Sequence, residues 1–468
     1  MKCLKILFQL IINRHQSFLV FNLVLIFMVD TRCFSQGVYY WSQNYGTRSN
    51  LLGGLVIGSV NDVTATYYNP GFLGLVEDPE IIIGARIYEL NNYKVSFDEF
   101  EDENLSSRKF SASPSFFAGS FKLDSTRTFK FFYSFLVRQF SDVNFSFKFV
   151  DNASSSNEYK TFVREIYALQ DMSENWVGIS WAFSPLKNVG IGFSPYLVIR
   201  SDELRLNNNL SSANIINSVT TAQGVSEYKY YNLRILAKMG ILWVNEHFTL
   251  GINMTTSSIN LGGEGHTYIN LNVSDQISED GSVDSGILIA NYQKNLHSQY
   301  KNSLNLGIGF SYSFGKSRLH FSAEWFDEVL KFNILEPQSF LAQGTDKEFQ
   351  NTISLSLKSV LNFGIGYELY LSEIVSLYGS FFVDHNANKD VSRFDLFDVD
   401  MTLNHLTSGA NIKIGTTYLT LGLELAYGSH PFDTDMGIEK EMRDLVSILN
   451  GELTYYKIKG MLSASFLL

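Results

Sequence analysis

From about residue 80 to the C-terminus, apolar and polar positions alternate with a period of two in segment after segment. The clearest is Tyr418–Tyr427, with Leu419, Leu421, Leu423, Leu425 and Tyr427 on one face and Thr420, Gly422, Glu424 and Ala426 on the other. That period belongs to a β-strand, whose successive side chains point to opposite faces. The same dyad recurs over Leu304–Phe314, Leu361–Tyr370, Phe129–Arg138 and Leu233–Trp243. In these segments one face is apolar or aromatic, and the other is rich in glycine, serine, asparagine and charged residues. An apolar face of this kind fits lipid as well as it fits a protein core. The connections alternate too. Tight turns are expected at Asp124–Arg127, Pro185–Asn188, Asn245–His247, Gly315–Ser317, Ser372–Ile374 and Gly415–Thr417. Long polar loops are expected at Asn91–Lys109, Asp151–Ser173, Asn207–Ser226, Gly262–Tyr300, Asn333–Asn351, His385–Asn404 and Gly428–Gly451. Six short and seven long connections imply fourteen strands, with both chain ends on the side of the short turns.

A soluble β-sandwich shows the same alternation. The short/long rhythm and the glycine-rich second face favour an all-β, 14-stranded antiparallel transmembrane β-barrel over residues 80–468, with short turns in the periplasm and long loops outside. The last strand, Leu453–Leu468, places Ala464, Phe466 and Leu468 on the lipid phase. Pro195 interrupts a strand, where it invites a bulge.

Ahead of the barrel, Tyr45–Leu75 (YGTRSNLLGGLVIGSVNDVTATYYNPGFLGL) has no alternation, and glycines break its apolar stripe. Glycines outside any regular element suggest close backbone approach to an enclosing structure. Leu52-Gly53-Gly54, Asp62, Tyr68-Asn69-Pro70 and Leu73 resemble the N-terminal hatch of the FadL-type long-chain fatty-acid transporters of bacterial outer membranes, with Gly71 where that family usually has alanine. The resemblance assigns residues 36–79 to a hatch, with Gly53, Gly54, Asp62, Asn69, Pro70 and Gly71 as its marked positions. It implies hatch-gated, passive passage of a hydrophobic small molecule such as a long-chain fatty acid. Two other roles stay open: a structural or secretion-associated barrel acting through protein partners, and a barrel hydrolase.

Residues 1–35 read as a signal peptide: Lys2, Lys5 and Arg14 precede the apolar run Ser17–Val29, and Cys33 and Ser35 supply small residues for cleavage before Gln36. Cleavage removes both cysteines, so no disulfide or thiolate site is expected. It also removes four basic residues and one acidic one, taking the formal charge from −11 to −14. That balance argues against a nucleic-acid partner, since phosphate is bound by basic groups. After Val29 no apolar run reaches the roughly 20 residues of a membrane helix.

On these phases Arg86, Arg138, Arg200, Arg234, Lys238, Glu324, Glu368, Glu424, Lys457 and Lys459 point inward. Arg138, Arg200, Arg234 and Lys238 are the candidates for a ligand's acidic head group, a guanidinium being suited to bidentate contact. The plainer reading of any one of them is an ion pair within a polar lumen. Phe117, Phe132, Leu136, Tyr196, Leu236, Phe326, Tyr370 and Phe382 are the candidate apolar lining, either of a ligand site or of a seat for the hatch. Asp384, His385 and His405 make a weak catalytic candidate near the outer rim, and Asp284-Ser285-Gly286 lacks the flanks of an aspartic-protease triplet. The expectation is a non-enzyme without metal or cofactor. The acidic run Asp98–Glu103 either is solvated or holds divalent ions bridging lipopolysaccharide.

Overall fold

A computed structural model of the protein describes residues 39–468, apart from 77–79, 98–102, 110–112, 122–128, 152–158, 215–218, 274–275, 278–282, 285–286, 342, 344–347, 390–399, 434–449 and 468. The expected leader, the turn at Asp124–Arg127, most of the acidic run, the side chain of Arg86 and Leu468 lie outside the described residues.

Fourteen antiparallel staves close a barrel. They are β1 (Glu80–Phe97), β2 (Glu103–Lys109 and Ser113–Ser120), β3 (Lys130–Asp151), β4 (Tyr159–Leu186), β5 (Val189–Asn214), β6 (Val219–Val244) and β7 (Phe248–Thr255 and Ile259–Val273). Then follow β8 (Ile287–His297 and Asn305–Phe314), β9 (Ser317–Phe326), β10 (Val360–Tyr370), β11 (Val375–Asp384), β12 (Leu403–Ile414), β13 (Thr417–Asp433) and β14 (Asn450–Leu467). β14 pairs back onto β1 from Glu80↔Leu467 to Phe97↔Gly451, with a bulge between Arg86 and Tyr88. Closure leaves the wall without a free sheet edge along this seam.

The short turns fall at the five described places the alternation marks, and Gly315 and Gly415 take φ of +58° and +63°, as a tight hairpin turn requires. Most of the expected long loops are corrected. β4 runs for 28 residues and β5 and β6 for 26 each, so Asp151–Ser173 and Asn207–Ser226 are largely strand. The same holds for Asn91–Lys109, for both ends of Gly262–Tyr300 and for both ends of Gly428–Gly451. Beyond the apolar band a strand has no uniform outward face to display, so the alternation fades while the ladder bonds persist. The wall is therefore lopsided: β9, β10 and β11 have 10, 11 and 10 residues. On this low side the chain between β9 and β10 forms a roof hairpin, Val329–Leu335 against Ile353–Leu357. Its Phe332, Leu335, Ile353 and Leu357 are buried against Tyr40, Tyr228, Tyr300 and Phe382, which places it over the lumen.

The outward faces carry the exposed apolar side chains: Ile179 and Trp181 on β4, Ile241 and Trp243 on β6, Ile308 and Phe310 on β8, Phe363 and Ile365 on β10, Leu421 and Leu423 on β13. Phe117 belongs with them. It is 39% exposed, and its neighbour Phe116 is the buried one. The reason is a bulge: Ala85 pairs with Pro114 and Gly84 with Phe116, so Ser115 is an extra residue that reverses the phase of β2. Tyr370 keeps the inward phase, but it is the last residue of β10 and opens at the rim of the short-turn side, so it does not line the interior. Pro195 brings no bulge; Gly178↔Tyr196 and Trp181↔Phe193 share one register across it.

Candidate functional site

Residues 39–76 fill the inside of the barrel. Their short elements are α1 (Arg48–Leu51), α2 (Ala65–Tyr68) and a 3-10 turn, Pro70–Gly74. Leu51, Leu52, Leu55, Val56, Val60, Val63 and Leu73 are buried here, although no alternation marks them. The glycine-rich inward face of the wall is what makes room. A Cβ at Gly190 or Gly192 on β5 would come within 2.0 Å of the carbonyl oxygens of Gly71 and Pro70 respectively. One at Gly251 on β7 would come within 2.1 Å of the Ile57 carbonyl oxygen, and one at Gly58 within 2.1 Å of the Gly309 oxygen on β8. Backbone lies on backbone, which only glycine permits at such separations. Gly53 and Gly54 take φ of +60° and +77°, and a Cβ on Gly53 would run into the Phe382 ring.

Polar contacts tie the segment to staves around the ring. Asn69 holds the turn through Oδ1, which accepts from Gly71 N at 3.0 Å, and it reaches the wall by donating from Nδ2 to the Ile241 carbonyl at 3.1 Å. Asn253 donates to the Tyr68 carbonyl, Tyr196 to that of Thr66, Thr407 to that of Leu51 and Ser463 to that of Gly46, all at 2.6–2.8 Å. Arg48 grips Glu368 with Nε and Nη2 at 2.9 and 2.7 Å, and His320 bridges Ser59 and Glu368. Asp62 caps Thr64 N at 2.9 Å.

Its first residues, Tyr39–Trp41, form a separate latch. Trp41 N donates to Asp384 Oδ2 at 2.9 Å and Trp41 Nε1 to Glu324 Oε2 at 2.8 Å. The Tyr40 ring stacks on Phe326 at 3.9 Å, and Tyr39 donates to the Met401 carbonyl. Between this latch and the roof hairpin lies a buried charged cluster. Glu174 accepts from Arg200 at 3.3 Å and also from Arg234. Asp202 accepts from Arg200 at 3.0 Å, and Lys238 pairs with Glu324 at 3.6 Å. Arg200 and Arg234 lie 4.3 and 4.6 Å from the Tyr300 ring centroid. Arg138 is different. It donates to the Tyr40 carbonyl and lies 5.6 Å from the centroid of Tyr67, while its buried Nη1 has no hydrogen-bond partner among the described residues. Arg138 keeps the inward phase of Leu136, and a bulge in β3 between Val137 and Gln139 brings Gln139 inward beside it, where its Oε1 accepts from Arg200. Among the described residues, the ladder between β2 and β3 covers only Phe116↔Leu136 to Ser120↔Phe132, so the bulge stands beside a shortened seam.

Arg138, Arg200, Arg234 and Lys238 thus point into the interior from β3, β5 and β6, with three of the four paired to carboxylates. Phe132, Leu136, Tyr196, Leu236, Phe326 and Phe382 are buried in the interior. Phe132, Leu136, Tyr196 and Leu236 pack with the N-terminal segment, and Phe326 and Phe382 pack with the latch and the roof. Glu424, Lys457 and Lys459 lie inside on the opposite half, with His405 3.1 Å from Glu424 and stacked on Phe382. Asp384, His385 and His405 do not form a catalytic set, because Asp384 binds Trp41 and Asn362 while His405 binds Glu424. Glu174 was missed among the inward charges, although its phase with Trp176 and Gly178 carries that signal. Tyr300 and Trp41 stand in no alternating stretch, and nothing in the pattern marks them.

No protein-family profile and no curated protein matches the chain by sequence. Solved structures match it by shape. A FadL homologue of Pseudomonas aeruginosa superposes with a TM-score of 0.57 at 13% identity, covering 92% of this chain and 99% of that one. The toluene transporter TodX of P. putida gives 0.55 at 12% identity, covering 91% and 99%. The toluene transporter TbuX of Ralstonia pickettii gives 0.54 at 12%, covering 91% and 98%. At these identities the shared property is the fold, and the chain has the fold of FadL-type transporters.

Proposed function

We propose that the protein is a passive channel of a bacterial outer membrane for hydrophobic small molecules, closed by residues 39–76 acting as a plug. One observation carries this reading above the others: the lumen is filled by a segment of the same chain that is paired to no stave. It is held by side-chain bonds and glycine contacts. Such a segment can shift without opening the barrel ladder, whose backbone groups are satisfied independently of it. The exposed apolar band on the outward face fits the hydrocarbon core of a bilayer. Molecules enter beneath the roof hairpin, pass the charged cluster, and leave when the latch at Tyr39–Trp41 lets go.

An amphipathic acid, such as a long-chain fatty acid, is the substrate that uses Arg138. Its carboxylate takes the unbonded Nη1, and its chain displaces part of the plug from the apolar side chains Phe132, Leu136 and Leu236. A hydrogen bond to a charged group contributes about 1.5–3 kcal/mol, or about 10- to 100-fold in affinity. Arg138→Met is therefore expected to weaken fatty-acid binding to the purified barrel by at least about tenfold, and to leave binding of a neutral hydrocarbon such as toluene unchanged. Equal loss of both would remove the head-group role of Arg138. Binding of neither ligand by the parent protein would remove the channel reading.

Orientation is checked separately. A protease-cleavable tag between Val273 and Ile287 is expected to be cut on intact cells, and one between Gly315 and Lys316 to be protected. The reverse pattern would turn the barrel over. A role through a protein partner is the second reading, favoured by Leu288, Tyr292 and Leu341, which are exposed on β8 and on the chain between β9 and β10. A subunit that co-purifies in gentle detergent, and is lost from Tyr292→Asp, would favour it.

A further inference from the structure

The short staves β9 to β12 leave two open sheet edges in the tall part of the wall. β8 pairs with β9 only from Asn305↔Phe326 to Phe314↔Ser317, so its upper part, Ile287–His297, has β7 on one side and no stave on the other. β13 pairs with β12 only as far as Tyr427↔Asn404, so its last residues, Gly428–Asp433, have β14 alone. An open edge displays unpaired backbone donors and acceptors, and proteins guard it. The edge of β13 is short and contains Pro431, which has no N–H to offer. The edge of β8 is longer, and its guard is of another kind.

In an antiparallel ladder, alternate residues turn both backbone groups to the same side. Ala290 turns its pair to the open side, where one side chain satisfies both. Ala290 N donates to Gln343 Oε1 at 2.9 Å, and Gln343 Nε2 donates to the Ala290 carbonyl at 3.1 Å. The carboxamide does here what a strand residue would do. Gln293 returns the favour to the chain opposite: its Oε1 accepts from Gln338 N at 2.7 Å, and its Nε2 donates to the Gln338 carbonyl at 2.6 Å. A single backbone bridge, Leu288↔Gln343, is present, and it is antiparallel. Tyr292 is in phase with Ala290, and among the described residues no hydrogen bond takes up its edge-facing N–H and carbonyl. Leu288, Ala290, Tyr292 and Lys294 are exposed on the outward face, and Lys294 has no ion pair among the described residues. The Tyr292 ring is steadied by those of His266 and Tyr268, at 5.6 and 6.4 Å. The edge is thus covered by exposed side-chain amides, whereas the roof hairpin is held separately by buried Phe332 and Leu335. Bonds to exposed amides add little net, because water replaces them. The cover can leave without disturbing the roof.

We propose that the edge Leu288–Lys294 is a docking strand for an extended segment of another protein on the outer side of the barrel, which displaces Gln343 and adds antiparallel to β8. In strand addition the backbone supplies affinity and the side chains set what fits. Apolar or aromatic positions belong beside Leu288 and Tyr292, and an acidic one at the Lys294 end. A second copy in the same membrane does not fit. Rotation about the membrane normal leaves its β8 running the same way, whereas the bridge at Leu288 sets antiparallel pairing. The proposal gives the partner reading a site and does not depend on transport. The probe is a short fluorescent peptide, aspartate at its N-terminal end and then phenylalanine alternating with threonine, titrated onto the purified barrel. It is expected to bind, and to bind several-fold tighter to Gln343→Ala, which lifts the guard. Tyr292→Pro removes an edge N–H and keeps the ladder to β7, so it is expected to fold and to weaken binding at least about tenfold. Methylating the peptide's pairing nitrogens leaves its side chains unchanged and is expected to abolish binding. Failure of the peptide to bind either the parent or Gln343→Ala overturns the proposal. Equal binding of the methylated peptide also overturns it, by assigning the contact to apolar side chains alone, and this decides the matter even where Tyr292→Pro does not fold. Toluene binding is expected to be equal in the parent and Tyr292→Pro, so its absence from both removes the channel reading and leaves the docking strand standing.

Discussion

Leu421→Arg is expected to leave almost no folded barrel in the outer membrane, whereas Asn144→Arg leaves the yield unchanged. Leu421 stands on the outward face of β13 between Leu419 and Leu423, half exposed in the apolar band. An arginine near the bilayer midplane costs about 2–4 kcal/mol and little near the interface. Marginally stable proteins do not readily absorb such a loss. Asn144 is also outward and exposed, but it lies in the upper half of β3, where the stave pairs with β4 beyond Gln139↔Glu174. Depth alone separates the two. The check is the fraction of heat-modifiable protein in membranes. Equal fractions would mean that the band at Leu421 does not face lipid.

Gly192→Val is expected to spare the barrel and unseat the plug. Valine suits a strand, and Gly192 keeps its ladder partners Ala182 and Gly240. Its new Cβ, however, would lie 2.0 Å from the Pro70 carbonyl oxygen and 2.8 Å from the Pro70 Cβ. Backbone on the plug side cannot yield as a flexible side chain can, so the turn Pro70–Gly74 has to move away from β5. The expected result is heat-modifiable protein at normal yield, a several-fold rise in single-channel conductance, and sensitivity of cells to small antibiotics that approaches deletion of Tyr45–Leu75. Normal conductance from a folded Gly192→Val barrel would show that the plug does not close the pore. The milder Asn69→Ala change removes the bond to Ile241 without a clash, and is expected to act in the same direction with a smaller effect.

The outward face was legible wherever it had to be apolar throughout, as on β8, β10 and β13, because burial in one medium imposes one residue class at every second position. Where that demand lapses, the signal lapses with it. The upper halves of β4, β5 and β6 are strand by their ladders, yet their residues read as loop. The phase also failed at Phe117, since one extra residue at Ser115 reverses everything after it and leaves no mark in an alternation only a few residues long. Inside the barrel the sign of a charge was legible and its partner was not. Alternation places Arg200 and Arg234 inward from two staves, but only the folded register brings the Glu174 carboxylate of β4 against both guanidinium groups. The glycines of the wall stood out early, but what they made room for became plain only when Pro70 and Gly71 were found lying against Gly192 and Gly190.

The seam between β1 and β14 governs the order in which the molecule can be built. Glu80 pairs with Leu467, so the ring cannot be completed until the last residues of the chain exist. Contacts between the far ends of a chain form slowly, because a long loop must close before any bond rewards it. Until then β1 and β14 each offer a bare edge, prone to wrong pairing in water and costly in lipid. A helper that holds both edges through this interval is a physical need of the topology. The plug precedes β1 and is made before any stave. It can therefore occupy the growing curve of the wall while the seam is still apart, and the final pairing encloses residues made before any stave.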